Sequence, residues 1–269
     1  MIKLSASSII EADHGCPTKT HKKYVLKKPE AATGIYGSFG RALHNTISTS
    51  IDFGQMGRPE LVESQWQEDY EKIFKKEIGN LPVRGDMNKL GSELLSNWSD
   101  DMVKRGWYRM KPIMLEKYCL HQLTDNITMS GYIDIVFELE GKIYLVDWKS
   151  QTKHPNQYEL DTSVQLSTYY WFLTQENIKP DYICLYMLRG NKILYTQRKQ
   201  EDVDVLIQNA EHVYDRLKPE KILALPTNDN CKWCGYTQEC KAYTSQISMQ
   251  YDKNEDKYEV TNTIKNFLN

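Results

Sequence analysis

Three consecutive segments in the middle of the chain alternate between apolar and polar residues with a period of two. They span residues 113–123, 127–139 and 142–150 and are rich in β-branched and aromatic side chains. This pattern is typical of β-strands that bury one face. Glu140 and Gly141 separate the last two segments and suit a tight turn, so these two strands are expected to form a hairpin.

Segments with a helical period lie on both sides of these strands. Over residues 36–52 an apolar residue recurs every fourth position, which predicts one buried helical stripe: Phe39, Leu43, Ile47 and Ile51. Further helices are predicted before Cys16 and over residues 59–79, 87–106, 163–175 and 201–217. A second strand hairpin is predicted from residues 181–188 and 192–199. We therefore expect an α/β fold with an inserted helical lobe over residues 55–110.

Composition limits the partners of the chain. Its 269 residues are 40% hydrophobic, enough for a sizeable core, and its formal net charge is −2. A uniformly basic surface is excluded, so contact with nucleic acid has to come from local patches. No apolar run approaches the roughly 18 residues that a membrane span needs. The first residues do not match a secretory signal, so we expect a cytoplasmic protein, or an intracellular one encoded by a phage.

A charged pair shares one face of the third predicted strand. Side chains two residues apart on a strand point to the same side, so Asp147 and Lys149 face one way and Trp148 the other. On the second strand Asp134 stands among apolar neighbours, where an ionised carboxylate is costly without a cation nearby. Such oxygen ligands suit Mg²⁺ or Mn²⁺ together with a substrate phosphate. For any single D-x-K triplet, the alternative is a solvated pair on an exposed face.

Further polar residues stand in order around this hairpin. His44 follows Gly40 by four residues on the predicted helix over residues 36–52. Gln165 and Tyr169 lie one helical turn apart on the helix after the hairpin. Each feature is commonplace by itself, because a helical histidine is usually a satisfied core residue.

Taken together, these residues resemble the motif series of the RecB-like branch of the PD-(D/E)XK nuclease superfamily. The series here is Gly40-x3-His44, Gly131-Tyr132-Ile133-Asp134, Asp147-x-Lys149 and Gln165-x3-Tyr169. The resemblance covers most of residues 1–244. It implies a restriction-endonuclease-like core with a mixed β-sheet, and a metal-dependent exonuclease acting on single-stranded DNA or DNA ends. It also implies a helicase, recombination or CRISPR-adaptation protein as a partner.

The resemblance implies a set of metal ligands. His44, Asp134 and Asp147 would bind Mg²⁺ or Mn²⁺ together with the main-chain carbonyl of Trp148. Asp147 stands where glutamate is commoner in the family. Glu116, on the first predicted strand, is a candidate for an additional acid, with a surface charge on an edge strand as its alternative.

The resemblance also implies the catalytic roles. Asp134 and Asp147 would act through the metal, and Lys149 would orient or polarise the attacking water. Gln165 and Tyr169 would position the phosphate and Lys149.

Four of the six cysteines stand apart from the strand patterns. Cys231, Cys234 and Cys240 form a C-x2-C-x5-C run, and Cys16 lies more than two hundred residues before it. Three thiolates at this spacing can reach one metal centre, and zinc is one alternative. Structural zinc sites more often use two close pairs. The arrangement resembles the [4Fe-4S] cluster of iron–sulfur exonucleases in the same superfamily, and we expect the same cofactor here.

A cluster on these cysteines would join the two ends of the chain. We predict a single nuclease domain over residues 1–244, with an iron–sulfur region at residue 16 and residues 231–240, followed by a C-terminal tail over residues 245–269. The residues directly after Cys16 suit DNA phosphates and a stacked base: Lys22, Lys23, Tyr24 and Lys27. An ordinary solvated basic face is the alternative for this group.

Two other functions stay open from the sequence. One is a catalytically silent iron–sulfur subunit that binds DNA or supports an assembly, and the other is a zinc-bound interaction module. The presence of both acids, Lys149, Gln165 and Tyr169 favours an active enzyme.

Overall fold

The computed structural model describes residues 1–28, 34–83, 85–218, 224, 231 and 234–243. The chain forms two compact units, a large unit of Thr33–Ile207 and a small unit of Met1–Ala32 with Gln208–Asn269. That residues 1–244 act as a single nuclease domain stays a prediction. The predicted tail over residues 245–269 lies outside the described residues. Among the helices of the described residues, none combines the length and the apolar character that crossing a bilayer requires.

The small unit opens with a short strand, β1 (Ile2–Leu4), followed by α1 (Ala6–His14) and α2 (Pro17–Thr20). The side chains of Ser5 and Ser8 each accept a hydrogen bond from the other's main-chain N–H, which closes a capping box at the start of α1. Pro17 is the first residue of α2, where its missing N–H costs no helical hydrogen bond. A π-helical turn over His21–Val25 follows. The helix predicted before Cys16 is confirmed, whereas α2 and the π-helical turn were not predicted.

α3 (Ile35–Asp52) precedes the predicted lobe, and the lobe contains α4 (Pro59–Asp69), α5 (Lys76–Ile78) and α6 (Met87–Lys104). A π-helical segment over Tyr70–Lys75 joins α4 to α5. The predicted stripe on α3 is buried at all four positions and faces large aromatic side chains of the lobe, which include Trp66, Phe74 and Trp98. Burying such a side chain stabilises the fold by about 1.5–3 kcal/mol.

The sheet of the large unit contains β2 (Lys111–Thr124), β3 (Ile127–Leu139), β4 (Lys142–Lys149), β5 (Tyr182–Met187) and β6 (Lys192–Thr196). These strands lie in the order β2-β3-β4-β5-β6. β4 and β5 are parallel and the other neighbours are antiparallel, so the sheet is mixed, as predicted. Glu140 and Gly141 form the turn between β3 and β4, and both have positive φ, as a tight hairpin turn requires.

Helices complete the α/β fold. α7 (Gln157–Asp161) and α8 (Val164–Gln175) lie between β4 and β5 in the chain, and α9 (Gln200–Arg216) follows β6. One face of the sheet packs against the lobe through a continuous buried cluster to which the strands contribute Ile135, Phe137, Val146, Trp148 and Tyr186. The predicted α/β class, with helices around a mixed sheet, is therefore confirmed.

Gly91 allows α6 to pack against Trp66. A Cβ atom at this position would lie 2.0 Å from Trp66 Cζ2, and Trp66 is completely buried. We expect Gly91→Ala to lower the free energy of unfolding by about 1–3 kcal/mol through overpacking. This sign is opposite to the gain of about 1 kcal/mol that alanine gives in an open helix.

Gly37→Ala is the matched control, because a Cβ on this helical glycine of α3 meets nothing closer than Arg41 Nη1 at 3.7 Å. Urea unfolding of the two variants and the unchanged chain measures both effects. Equal stability of the two variants would contradict the packing of α6 on Trp66.

Candidate functional site

Three acidic residues lie side by side across strands β2, β3 and β4. The register of β2 and β3 places Glu116 opposite Asp134. The register of β3 and β4, continued one step beyond the pair Ile135 and Val146, places Asp134 opposite Asp147. The side chains of Asp134 and Asp147 are almost completely buried, and that of Glu116 is partly exposed. The sheet thus gathers three carboxyl groups at one place.

His44 approaches these acids from α3. Its Nδ1 lies 3.5 Å from Asp134 Oδ1 and 3.8 Å from Glu116 Oε1. Its Nε2 lies 3.0 Å from the main-chain oxygen of Trp148. Ligand atoms of His44, Glu116 and Asp134 all lie within 4.8 Å of one another, close enough to hold one metal ion.

The main chain of Trp148 holds two of these side chains in place. Its N–H donates a hydrogen bond of 2.8 Å to Asp134 Oδ2, and its carbonyl faces His44. The indole points into the core, is 1% exposed, and contacts the rings of Trp98 and Tyr186. The position of the acidic site therefore depends on how Trp148 packs.

Glu116 has an unusual backbone conformation. Its φ of 46° lies in the left-handed region, which a non-glycine residue seldom adopts inside a strand. Such a conformation costs on the order of 1–3 kcal/mol and is concentrated at functional sites. Here it accompanies a carboxyl group that lies beside His44. Nothing in the local sequence of β2 predicts this conformation.

A chain of polar contacts extends from Asp147 to α8. Lys149 Nζ lies 2.7 Å from Asp147 Oδ2, on the face that strand alternation predicted. The same ammonium donates a hydrogen bond of 2.9 Å to Gln165 Oε1, and Gln165 Nε2 donates one of 2.7 Å to the Tyr169 hydroxyl. The helical spacing of Gln165 and Tyr169 therefore brings both to the lysine.

Burial and mutual repulsion change the titration of the site. Burial, together with repulsion from Asp134, raises the pKa of Glu116 to about 7. Burial also raises the pKa of Asp147 to about 6, although Lys149 opposes the shift. Burial by itself would lower the pKa of His44, but the Asp134 carboxylate raises it to about 9. These directions describe a site with a local excess of negative charge, which favours a bound cation.

The donor set fits a hard divalent ion. Carboxylate oxygens, one carbonyl oxygen and one imidazole suit Mg²⁺ or Mn²⁺. Asp147 Oδ2 is buried and lies 2.7 Å from Lys149 Nζ. A carboxylate oxygen has two lone pairs, so this oxygen retains capacity for a further ligand beside Lys149.

A groove lies next to Lys149. It encloses about 440 Å³, within the usual size range of ligand pockets, and is lined by Tyr36, Gly37, Phe39, Ser150, Gln151, Thr152 and Arg189. Arg189 Nε donates a hydrogen bond of 2.8 Å to the carbonyl of Ser150, the residue after Lys149. A guanidinium and an exposed tyrosine ring thus line a groove that includes Ser150, the residue after Lys149.

The four cysteines predicted to hold a cluster line one cavity of the small unit: Cys16, Cys231, Cys234 and Cys240. All four belong to the described residues, and no three of their sulfur atoms lie within 4.8 Å of one another. The other two cysteines, Cys119 and Cys184, are buried in strands of the large unit.

The residues predicted to bind DNA make contacts within the small unit. Lys22 Nζ lies 3.3 Å from Glu239 Oε1 and 5.5 Å from the centre of the Tyr236 ring. Glu11 Oε2 lies 3.3 Å from Lys23 Nζ and accepts a hydrogen bond of 2.9 Å from the Tyr24 hydroxyl. Lys27 is exposed. The sequence did not predict these acidic partners, and the DNA-binding role of Lys22, Lys23, Tyr24 and Lys27 stays a prediction.

A second basic stretch covers residues 104–111 and contains Trp107 and Tyr108. Trp107 is 4% exposed and packs against Phe137 in the core, so its ring is not available to a ligand at the surface. Tyr108 is exposed.

The known proteins that are similar to this chain include a nuclease superfamily. A sequence profile described as the PD-(D/E)XK nuclease superfamily matches residues 3–241. A solved structure described as the crystal structure of SSO0001 is similar with 10% identity and a TM-score of 0.39, over 90% of this chain and 86% of that one. No curated protein matches the chain.

Glu116→Gln tests whether Glu116 belongs to the site. We expect this variant to melt about 2 °C higher than the unchanged chain without metal, because it removes the repulsion from Asp134, which solvent partly screens. Mn²⁺ should then raise the melting temperature of the variant by less than that of the unchanged chain.

Glu138→Gln is the control, because it removes the same charge from an exposed position on the same hairpin. Thermal unfolding with and without Mn²⁺ measures both effects. A lower metal-free melting temperature for Glu116→Gln, with full stabilisation by Mn²⁺, would place Glu116 outside the site.

Proposed function

The chain belongs to the PD-(D/E)XK nuclease superfamily, and on this basis we propose that it is a Mg²⁺- or Mn²⁺-dependent deoxyribonuclease. One observation carries the proposal: His44, Glu116 and Asp134 present ligand atoms within 4.8 Å of one another. Asp147 and Lys149 stand next to this group at the end of β4. The family and the local chemistry therefore support the same reaction, hydrolysis of a phosphodiester bond.

The residues that would hold the ion are those at the acidic site. They are His44, Glu116, Asp134, Asp147 and the carbonyl of Trp148. A bound divalent ion lowers the pKa of a water ligand and neutralises charge that develops on the phosphate oxygens. Asp134 accepts the Trp148 N–H through one oxygen and leaves the other toward His44, which suits it as a ligand shared by the whole site.

Lys149 would hold and orient the attacking water. Its ammonium is positioned by Asp147 on one side and by Gln165 on the other, and Tyr169 positions the Gln165 amide. Attack in line with the leaving group would form a new phosphorus–oxygen bond and break the bond to the 3′-oxygen, which takes up a proton. The three contacts restrict the lysine to one geometry before substrate binds, which is the condition for efficient positioning.

We further propose that the enzyme is an exonuclease on single-stranded DNA or DNA ends, in recombination, repair or CRISPR adaptation. Its partner would be a helicase, a recombination protein or a CRISPR-adaptation protein. The order of motifs from Gly40 to Tyr169, which resembles the RecB-like branch, supports this. The groove beside Lys149, with Arg189 and Tyr36, offers room for a strand that approaches the site.

We also propose a [4Fe-4S] cluster on Cys16, Cys231, Cys234 and Cys240. Their position around one cavity supports it. The spacing of three near cysteines and one remote cysteine also supports it, because structural zinc sites more often use two close pairs. Closing so long a loop would contribute several kcal/mol of stability, which indicates a structural role.

Substitutions at the site test the nuclease proposal. We expect Lys149→Met to lower kcat for Mg²⁺-dependent DNA cleavage by about 100-fold or more, because the side chain keeps its length but loses its cation. Divalent-ion affinity should change little in this variant. Asp134→Asn should lose both activity and ion affinity, because it removes a ligand charge from the buried site.

The control for Lys149→Met is Lys179→Met, which removes an exposed lysine of the same unit. Cleavage is measured on end-labelled linear strands and on closed circles, and ion binding is measured by titration calorimetry. An exonuclease leaves the circles intact. Equal kcat for the two lysine variants, or no Mg²⁺-dependent cleavage by the unchanged chain, would contradict the proposal and favour the silent DNA-binding subunit.

Metal analysis tests the cluster. Protein purified without oxygen should be brown and contain about four iron and four sulfide per chain. Cys234→Ser should be colourless and should unfold at a lower temperature than the unchanged chain. Cys119→Ala, which is outside the cavity, should retain the iron. A colourless protein with one zinc per chain would support the zinc alternative and overturn this proposal.

A further inference from the structure

Two tyrosines on the hairpin of β2 and β3 present their rings to solvent. Tyr118 is 40% exposed and Tyr132 is 57% exposed. The register of the two strands pairs them directly, and their ring centres lie 5.0 Å apart with the planes tilted by 49°. Leu120, two residues further along β2, is also exposed. Tyr118 and Tyr132, which we call the tyrosine pair, thus form one exposed apolar surface together with Leu120.

The tyrosine pair adjoins the candidate metal centre. Tyr118 and Tyr132 each stand two residues along their strand from Glu116 and Asp134, a distance of roughly 7 Å along the strand. Because alternate residues of a strand share a face, Tyr132 lies on the same face of β3 as Asp134. A ligand held by the metal centre can therefore extend directly onto the rings.

The core does not need these rings. The opposite face of the hairpin packs on α8, because a Cβ at Gly131 would lie 3.3 Å from Phe172, and His121 also contacts the Phe172 ring. Cys119, between Tyr118 and Leu120, is buried. The tyrosines thus lie on the face left open. Exposed apolar side chains that lie next to one another, rather than singly, are a feature of binding surfaces.

We propose that Tyr118 and Tyr132 form a stacking platform for the unpaired bases of a DNA strand whose backbone lies at the metal centre. This inference rests on the proposed nuclease function and names its substrate class, single-stranded DNA. Aromatic rings stack on any base, because every base has a π-face. Paired bases inside a duplex have no free face, so the platform selects against duplex DNA next to the site.

Uncharged rings also suit this part of the surface. Glu116, Asp134 and Asp147 make the adjoining site acidic, which repels phosphates unless a divalent ion is bound. A platform that holds bases rather than phosphates can bind the strand beside these acids. The platform and the ion would then share the substrate, the rings taking bases and the ion taking the scissile phosphate.

Binding to oligonucleotides of the full chain tests the platform. Affinity for an oligothymidylate of about 16 nucleotides is measured without divalent ions, so that no strand is cut. We expect Tyr118→Ala with Tyr132→Ala to weaken this affinity by about tenfold or more. The double phenylalanine variant should retain it, and affinity for a blunt duplex should not change in either variant.

Tyr195→Ala is the matched control, because Tyr195 is 47% exposed and contacts one tyrosine ring, Tyr182, at 6.1 Å, on another strand of the same sheet. An abasic oligonucleotide provides the second control, since it keeps the phosphates and removes the bases. The unchanged chain should bind it as weakly as the double alanine variant binds the normal strand.

Several results would overturn the platform. They are an unchanged affinity in the double alanine variant, an equal loss in Tyr195→Ala, or an equal loss of affinity for the abasic strand. Conversion of a dimer to a monomer in the double alanine variant, with DNA affinity unchanged, would assign the surface to a second copy of the chain. Cleavage by the unchanged chain is assayed separately. If the unchanged chain does not cleave DNA and the double alanine variant binds weakly, the nuclease function is contradicted and the platform is still supported.

Discussion

The peptide unit of Trp148 is the constraint on which the candidate site depends. Its N–H holds Asp134, its carbonyl faces His44, and its indole is enclosed by the aromatic core of the lobe. A buried acceptor that lost this N–H would bear a desolvation cost of about 1–3 kcal/mol or more. The candidate metal ligands are therefore positioned by the same packing that stabilises the large unit. Substitutions far from the acids, among the rings around Trp148, are able to move the ligands.

The site brings several buried charges together, which lowers the free energy of unfolding. Asp134 and Asp147 stand on neighbouring strands, and both are buried in a setting that penalises ionisation. His44 and Lys149 balance part of that charge from two sides, the first from α3 and the second from the end of β4. Natural proteins commonly keep such unfavourable arrangements where function requires them and recover stability elsewhere. Here the aromatic lobe core is the evident source of that stability.

Local sequence patterns predicted those structural features that depend only on residues close together in the chain. Strand alternation placed Asp147 and Lys149 on one face, and the turn at Glu140 and Gly141 followed from residue type. Other features depend on contacts between distant segments. The left-handed conformation of Glu116 has no signature in the sequence of β2, and its contact with His44 arises only when α3 meets the sheet.

Residues far away in the sequence also determine which contacts the basic residues after Cys16 make. The sequence shows a run of lysines but not that Glu239, more than two hundred residues later, lies beside Lys22. Charge runs of this kind cannot be read as free surface until their acidic partners are known. For Tyr24, partial burial, the negative charge of Glu11 and a hydrogen bond to Glu11 raise the pKa of the phenol to about 12.

The two candidate metal sites of this chain differ in their chemistry and in their positions in the sequence. Carboxylates, a carbonyl and an imidazole, which suit hard divalent ions, belong to the large unit, whereas the cavity lined by four cysteines belongs to the small unit. The large unit is inserted in the sequence between the two segments of the small unit. Any metal centre that joined Cys16 to Cys240 would therefore close a loop containing the whole large unit. Its effect on the candidate acidic site would act through chain entropy and folding rather than through ligation, because neither His44 nor the three carboxylates line the cysteine cavity.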